Sequence, residues 1–307
     1  MISILLAEKI FSLFLIMFTG VLLIKLKILK PSDSRVISLL ILYLITPCVI
    51  LSAFQVEFTP EIRNGFILSL IAAFVVHVIL ILSVTLLGKV LRLNGVEQAA
   101  SIYSNAGNLI IPIVTSLLGK EWVIYSSAFV IVQLFLIWSH GKMLLCGERR
   151  LEFKKVFANI NMISILVGLV VLLTGLRFPY VVQDAVDSIA STIGPLGMLV
   201  TGILIATTDL DKLRSFRRLP LITLLRLVAL PMVIAAVLKY SSLSSLAPNG
   251  TDILFVSLLA TITPSSGGLT QMAVIYGSDP EYATAINVVT TLLCIVTMPL
   301  IVAFYFG

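Results

Sequence analysis

The sequence predicts an all-helical polytopic membrane protein, with ten transmembrane helices in two inverted five-helix repeats and with helices four and nine broken. Three observations lead there. Apolar runs recur along the whole chain, glycine and proline positions repeat at a fixed offset, and two polar stretches interrupt apolar spans. The 307 residues are 59% hydrophobic and 12% charged, with a mean hydropathy of +1.13. Soluble domains carry roughly 25% charged residues. A β-barrel would show short alternating segments in place of long apolar runs.

A spanning helix needs about 20 apolar residues. That length fits near 8–26, 35–55, 65–91, 98–118, 122–145, 158–176, 184–207, 218–239, 251–275 and 281–305. The first span lacks a basic leader and an A-x-A-like site, so it reads as a helix and not as a cleaved signal. Turn chemistry separates the spans: Lys30-Pro31-Ser32-Asp33, Thr59-Pro60-Glu61, Leu93-Asn94-Gly95, Gly147-Glu148, Asp209-Leu210-Asp211, Pro248-Asn249-Gly250 and Asp279-Pro280.

Charge sets the orientation. Fifteen Lys and Arg fall in loops on one side, led by Arg149, Arg150, Lys154 and Lys155. Five fall on the other: Lys9, Arg63, Lys120, Arg177 and Lys239. The positive-inside rule then places the basic loops in the cytoplasm and both termini outside the cytoplasmic (inner) membrane. The net charge of +6 is thus loop charge that orients the chain, with no implication of nucleic-acid binding.

Gly20, Pro31 and Pro47 reappear as Gly168, Pro179 and Pro195, each at an offset of 148 residues. Lys89 matches Lys239 and Pro112 matches Pro264 at slightly larger offsets, as small loop insertions would give. An odd number of spans per unit inverts the second copy. The chain divides into 1–147, a basic linker at 148–157, and 158–307.

The two interrupted stretches are Ser104-Asn105-Ala106-Gly107-Asn108-Leu109-Ile110-Ile111-Pro112 and Thr261-Ile262-Thr263-Pro264-Ser265-Ser266-Gly267-Gly268-Leu269-Thr270-Gln271. Helix breaks at membrane depth survive only where protein or a wet cavity surrounds them. Paired breaks in two halves point to a transporter's binding site. Asn105 and Asn108 carry amides that could hold a carboxylate or bond neighbouring helices. Pro112 removes the bond to the carbonyl of Asn108, and Pro264 that to Ala260, leaving backbone groups to face the centre. Thr263, Ser265, Ser266 and Gln271 complete the set. Arg226 lies inside the eighth span, where a charge is a functional hypothesis by default. Its guanidinium suits a carboxylate, or its stem could snorkel to the surface. His77 stands at the matching place in span three as a proton relay or a structural hydrogen-bonder. Gln133 and His140 are further polar residues in span five.

With these residues on view, the chain resembles the auxin efflux carrier family. The likeness rests on Asn105-x6-Pro112, on Pro264 followed by Ala273-x2-Tyr276-Gly277 and Pro299, on Pro195-Leu196 with Gly202 and Ala206, and on Pro47. The resemblance implies that the broken fourth and ninth helices cross at the centre. It further implies organic-anion transport by an elevator-like movement, often as a homodimer. A long hydrophilic central loop is lacking and Asn108 stands where the plant pattern is apolar, so the implied substrate is a small carboxylate in place of auxin.

Cys48, Cys146 and Cys294 form no disulfide framework or spaced metal site. No Ser/His/Asp grouping, phosphate loop or HExxH motif occurs, so no enzyme and no cofactor are expected. Two other readings share parts of the pattern: a sodium-coupled bile-acid-type symporter, and a membrane sensor that moves nothing.

Overall fold

The computed structural model describes residues 2–147, 158, 160–207 and 210–307. The basic linker at 148–157 and Asp209 therefore lie outside the described residues. Everything described is helix or short connection. The helices are α1 (Ile2–Lys25), α2 (Asp33–Ala53), α3 (Pro60–Leu91), α4 (Gly95–Ile102), α5 (Ile111–Leu117) and α6 (Val123–Cys146). The second half holds α7 (Ile160–Thr174), α8 (Tyr180–Thr207), α9 (Leu210–Ser215), α10 (Leu219–Tyr240), α11 (Gly250–Ile262), α12 (Gly267–Ile275) and α13 (Pro280–Phe306). Six of these, α2, α3, α6, α8, α10 and α13, are long and apolar enough to cross a membrane. Phe11–Lys25, Met162–Thr174 and Gly250–Ile262 are shorter apolar helices.

The turn residues start and stop the helices as their chemistry demands. Thr59 accepts a bond from the Ile62 N–H while Pro60 fills the first position of α3. Asn94 and Glu97 form a reciprocal capping box at the start of α4. Asp279 accepts from the Tyr282 N–H ahead of α13. Arg92, at φ 53°, ends α3 in the left-handed region.

Two groups of helices form. In the first, α1 packs along α8, and α2 packs against α7 and α8. Small residues let α1 and α8 touch backbone to backbone: a Cβ on Gly202 would stand 1.9 Å from the Met17 carbonyl oxygen, and one on Gly20 would stand 2.4 Å from that of Leu199. Membrane helices associate through such small-residue contacts because lipid supplies no hydrophobic drive. In the second group, α3 lies against α6 and α11, and α10, α11 and α12 pack on α13. Large apolar side chains such as Phe18, Phe74, Leu82 and Leu173 cover the outside.

Among the described residues, four π turns occur, at Ile41–Ile45, Ala106–Ile110, Ile137–Gly141 and Leu225–Ala229. The one at Leu225–Ala229 carries Arg226.

Candidate functional site

Both interrupted stretches unwind, and their unwound segments meet. α4 stops at Ile102, and an extended Tyr103 (φ −90°, ψ 124°) leads away from it. α11 stops at Ile262, and Thr263 is likewise extended (φ −64°, ψ 158°). Ser104 and Ser265 form an antiparallel bridge. The Asn105 N–H donates to the Pro264 carbonyl at 2.8 Å, and the Ser266 N–H donates to the Tyr103 carbonyl at 3.0 Å.

The crossing therefore lies at Ser104 and Ser265, next to Pro264 and away from Pro112. Pro112 stands eight residues beyond it, in the first turn of α5, which follows directly on the π turn Ala106–Ile110. Pro264 stands in the break itself. The Ala260 carbonyl that Pro264 would leave open is taken by the Thr263 hydroxyl at 2.9 Å. Thr263 thus serves its own helix end, and that freed carbonyl does not face the centre.

Side chains from other helices hold the paired segments in place. Gln133 on α6 clamps Ser104: its Oε1 accepts from the Ser104 N–H at 3.2 Å and from the Ser104 hydroxyl at 2.8 Å. Its Nε2 donates to the Ser104 carbonyl at 2.8 Å. On the facing side, the Ser265 N–H donates to Thr290 Oγ1 at 3.2 Å, and Asn287 Nδ2 donates to the Ser265 carbonyl at 2.6 Å. Each bridge residue, extended and so outside any helical ladder, has both backbone polar groups satisfied by an adjacent span. That meets the requirement of backbone buried away from water. Asn287 and Thr290 escaped the reading of the sequence, and Gln133 entered it without a role. Their one signal is that each is a polar residue within an apolar span.

Arg226 is fully buried, with 0% exposure. Its Nη2 donates to the carbonyls of Thr261 at 2.6 Å and Thr263 at 2.7 Å. Its Nη1 donates to those of Ser101 at 3.2 Å and Ile102 at 3.4 Å. One guanidinium thus caps the C-terminal ends of α4 and α11 together, where the helix dipoles leave partial negative charge. It does not snorkel, and both terminal nitrogens are committed to backbone. Only Nε lacks a partner. His77 donates from Nδ1 to the Ala73 carbonyl at 2.7 Å and packs its ring 4.8 Å from that of Phe129. His140 Nδ1 lies 2.8 Å from the Tyr103 hydroxyl, which also reaches the Leu136 carbonyl at 3.1 Å. If Tyr103 donates to Leu136, it accepts from His140.

The remaining expected site residues differ in how free they are. Asn105 is half-buried, and among the described residues its side-chain amide has no hydrogen-bond partner. Ser266 precedes α12, and its hydroxyl makes no capping bond. The Ser265 hydroxyl is buried and unpartnered. Asn108 lies in the π turn Ala106–Ile110, and Gln271 lies within α12.

A cavity of about 550 Å³ opens between helices of the two halves of the chain. The first helix group contributes Ser52 and Ala53 of α2 and Asp187 of α8, the second contributes Val123 of α6, and Ile111 and Thr115 of α5 line it between them. Ile111 directly follows the π turn that starts after Asn105. Arg177 and Gln55 also line the cavity, and Asp187 accepts a hydrogen bond from the Ser52 hydroxyl within it.

Apolar helices that break and cross at their unwound segments are the arrangement in which membrane transporters build their sites. A model of the family described as membrane transport protein matches this chain over residues 5–155 and again over 150–302. The chain belongs to that family, the auxin efflux carriers, whose members are transporters and not enzymes. None of the curated proteins compared with the chain matches it.

Proposed function

We propose that the chain is a secondary carrier of small organic anions, above all carboxylates, working by efflux or exchange with an elevator-type movement. The observation that carries this reading is the uncommitted Asn105 amide at a crossing of positive character. α12 starts at the crossing and brings the partial positive charge of its N-terminus. Arg226 adds a full charge that acts on an anion through the field and without contact. Asn105, Ser266 and the hydroxyl of Ser265 are the groups left to meet a carboxylate, with Asn108 and Gln271 one turn further on. Pro264 and Thr263 shape the break, and Pro112 lies in the first turn of α5.

The elevator reading is supported by the position of the cavity, whose lining is shared between the two helix groups. The side chains that hold the bridge residues, Gln133, Asn287 and Thr290, all belong to the second group, so movement of one group against the other need not break them. Ten spans in two inverted five-span repeats fit the helix order, with α4–α5 and α11–α12 as the broken fourth and ninth. Gln133 and Asn287, on the fifth and tenth spans, hold facing bridge residues in the same manner. The chain sits in the cytoplasmic membrane as a carrier that needs no cofactor and no nucleic acid, and a homodimer is its expected assembly.

Purified protein in liposomes, given a panel of radiolabelled monocarboxylates and dicarboxylates, should exchange at least one of them. Exchange of amines of equal size and of no carboxylate would reject the anion reading. Orientation has its own measurement. With native cysteines replaced, an impermeant thiol reagent should label Gly307→Cys on intact cells, and Arg150→Cys only after permeabilisation. Labelling of both from one side would end the ten-span scheme.

A further inference from the structure

Carriers with broken helices commonly seat a coupling cation on the unwound carbonyls and half-helix C-terminal ends. Here four such carbonyls, those of Ser101, Ile102, Thr261 and Thr263, converge from two helix ends. All four accept from the Arg226 guanidinium, and none of its partners is a carboxylate. A fully buried cation is costly to desolvate. Two helix C-terminal dipoles and four charge-assisted bonds offset that cost. The dependence is mutual, since removing the cation would leave four carbonyls unpaired where no water reaches.

We infer that Arg226 is a tethered cation occupying the coupling-cation site of the crossing, so that the carrier neither binds nor needs a free metal ion there. The π turn Leu225–Ala229 adds one residue to the α10 turn that delivers the side chain. The guanidinium has two donating nitrogens facing two helix ends, a match that a spherical ion or a lysine ammonium would make less completely. The ligand class of the vacated site is therefore planar: guanidinium before methylammonium, and both before sodium. The transport arm of the test rests on the carrier reading above, and the melting arm does not.

The experiment compares the full-length wild type with Arg226→Ala and Arg226→Lys, purified with or without methylguanidinium present from solubilisation onward. Wild-type melting temperature should be the same in sodium, potassium and choline chloride. Arg226→Ala should melt about 5–10 °C lower, and methylguanidinium should restore most of that loss while leaving the wild type unmoved. Arg226→Lys should melt between the two. A wild type stabilised specifically by sodium, an Arg226→Ala protein as stable as wild type, or a folded Arg226→Ala protein that methylguanidinium leaves unrestored would each overturn the assignment. If Arg226→Ala does not fold, the wild-type salt series and Arg226→Lys still decide. In liposomes, replacing sodium by choline should leave wild-type exchange unchanged, and a sodium requirement would overturn the assignment. No exchange in any salt, with the melting results as expected, would reject the carrier reading and uphold the tethered cation.

Discussion

Asn105→Ala is expected to lower substrate affinity roughly 10- to 150-fold while the protein keeps its melting temperature. The size follows from losing one hydrogen bond to a charged group, worth about 1.5–3 kcal/mol. The unchanged stability follows from geometry. Asn105 contributes to the crossing through its backbone N–H, bonded to the Pro264 carbonyl, and alanine keeps that bond. Its side-chain amide has no partner among the described residues, so its removal breaks no hydrogen bond there. An amide also suits a carrier that must return empty, since a charged donor would be costly to hold in a low-dielectric centre without its ligand. Affinity and melting temperature measured on the same purified variant test this. A drop in stability with affinity intact would make Asn105 a structural residue and remove it from the site.

Gln133→Leu should have the opposite signature. It leaves the N–H and carbonyl of Ser104 without their side-chain partner. At about 1–3 kcal/mol for each orphaned buried group, the loss is about 2–6 kcal/mol. Asn287→Leu orphans only the Ser265 carbonyl and should cost about half as much. Thermal unfolding in detergent reads both. Equal losses, or a Gln133→Leu protein that melts with the wild type, would show that the bridge is held by its main-chain bonds alone. Gln133→Glu separates shape from chemistry, because it keeps the acceptor but loses the donor to the Ser104 carbonyl.

Spans and breaks were legible in the sequence because both are local. Twenty apolar residues, or a Pro-Ser-Ser-Gly-Gly run inside them, can be read without knowing what lies opposite. The partners of the breaks were not legible, because they are remote. Gln133 reaches Ser104 across 29 residues, and Asn287 reaches Ser265 across 22. A lone amide in a span has no periodicity to mark which face it takes. Arg226 shows the same limit in another form. A charge in the eighth span is compatible with a ligand, with the surface or with a helix end, and only the convergence of four carbonyls selects the last. Proline is the conspicuous helix breaker in both stretches, yet of the two only Pro264 lies at the crossing. Pro112 marks where α5 starts, whereas the chain leaves its helix at Tyr103, a residue with no helix-breaking signature.

The bridge between Ser104 and Ser265 is framed by main-chain hydrogen bonds, from Asn105 to Pro264 and from Ser266 to Tyr103. Almost every residue type can make such bonds. The architecture of the crossing is therefore insulated from the identity of several side chains it displays, Asn105 and Ser266 among them. Substitutions at those positions can therefore change what the crossing presents without changing how it folds.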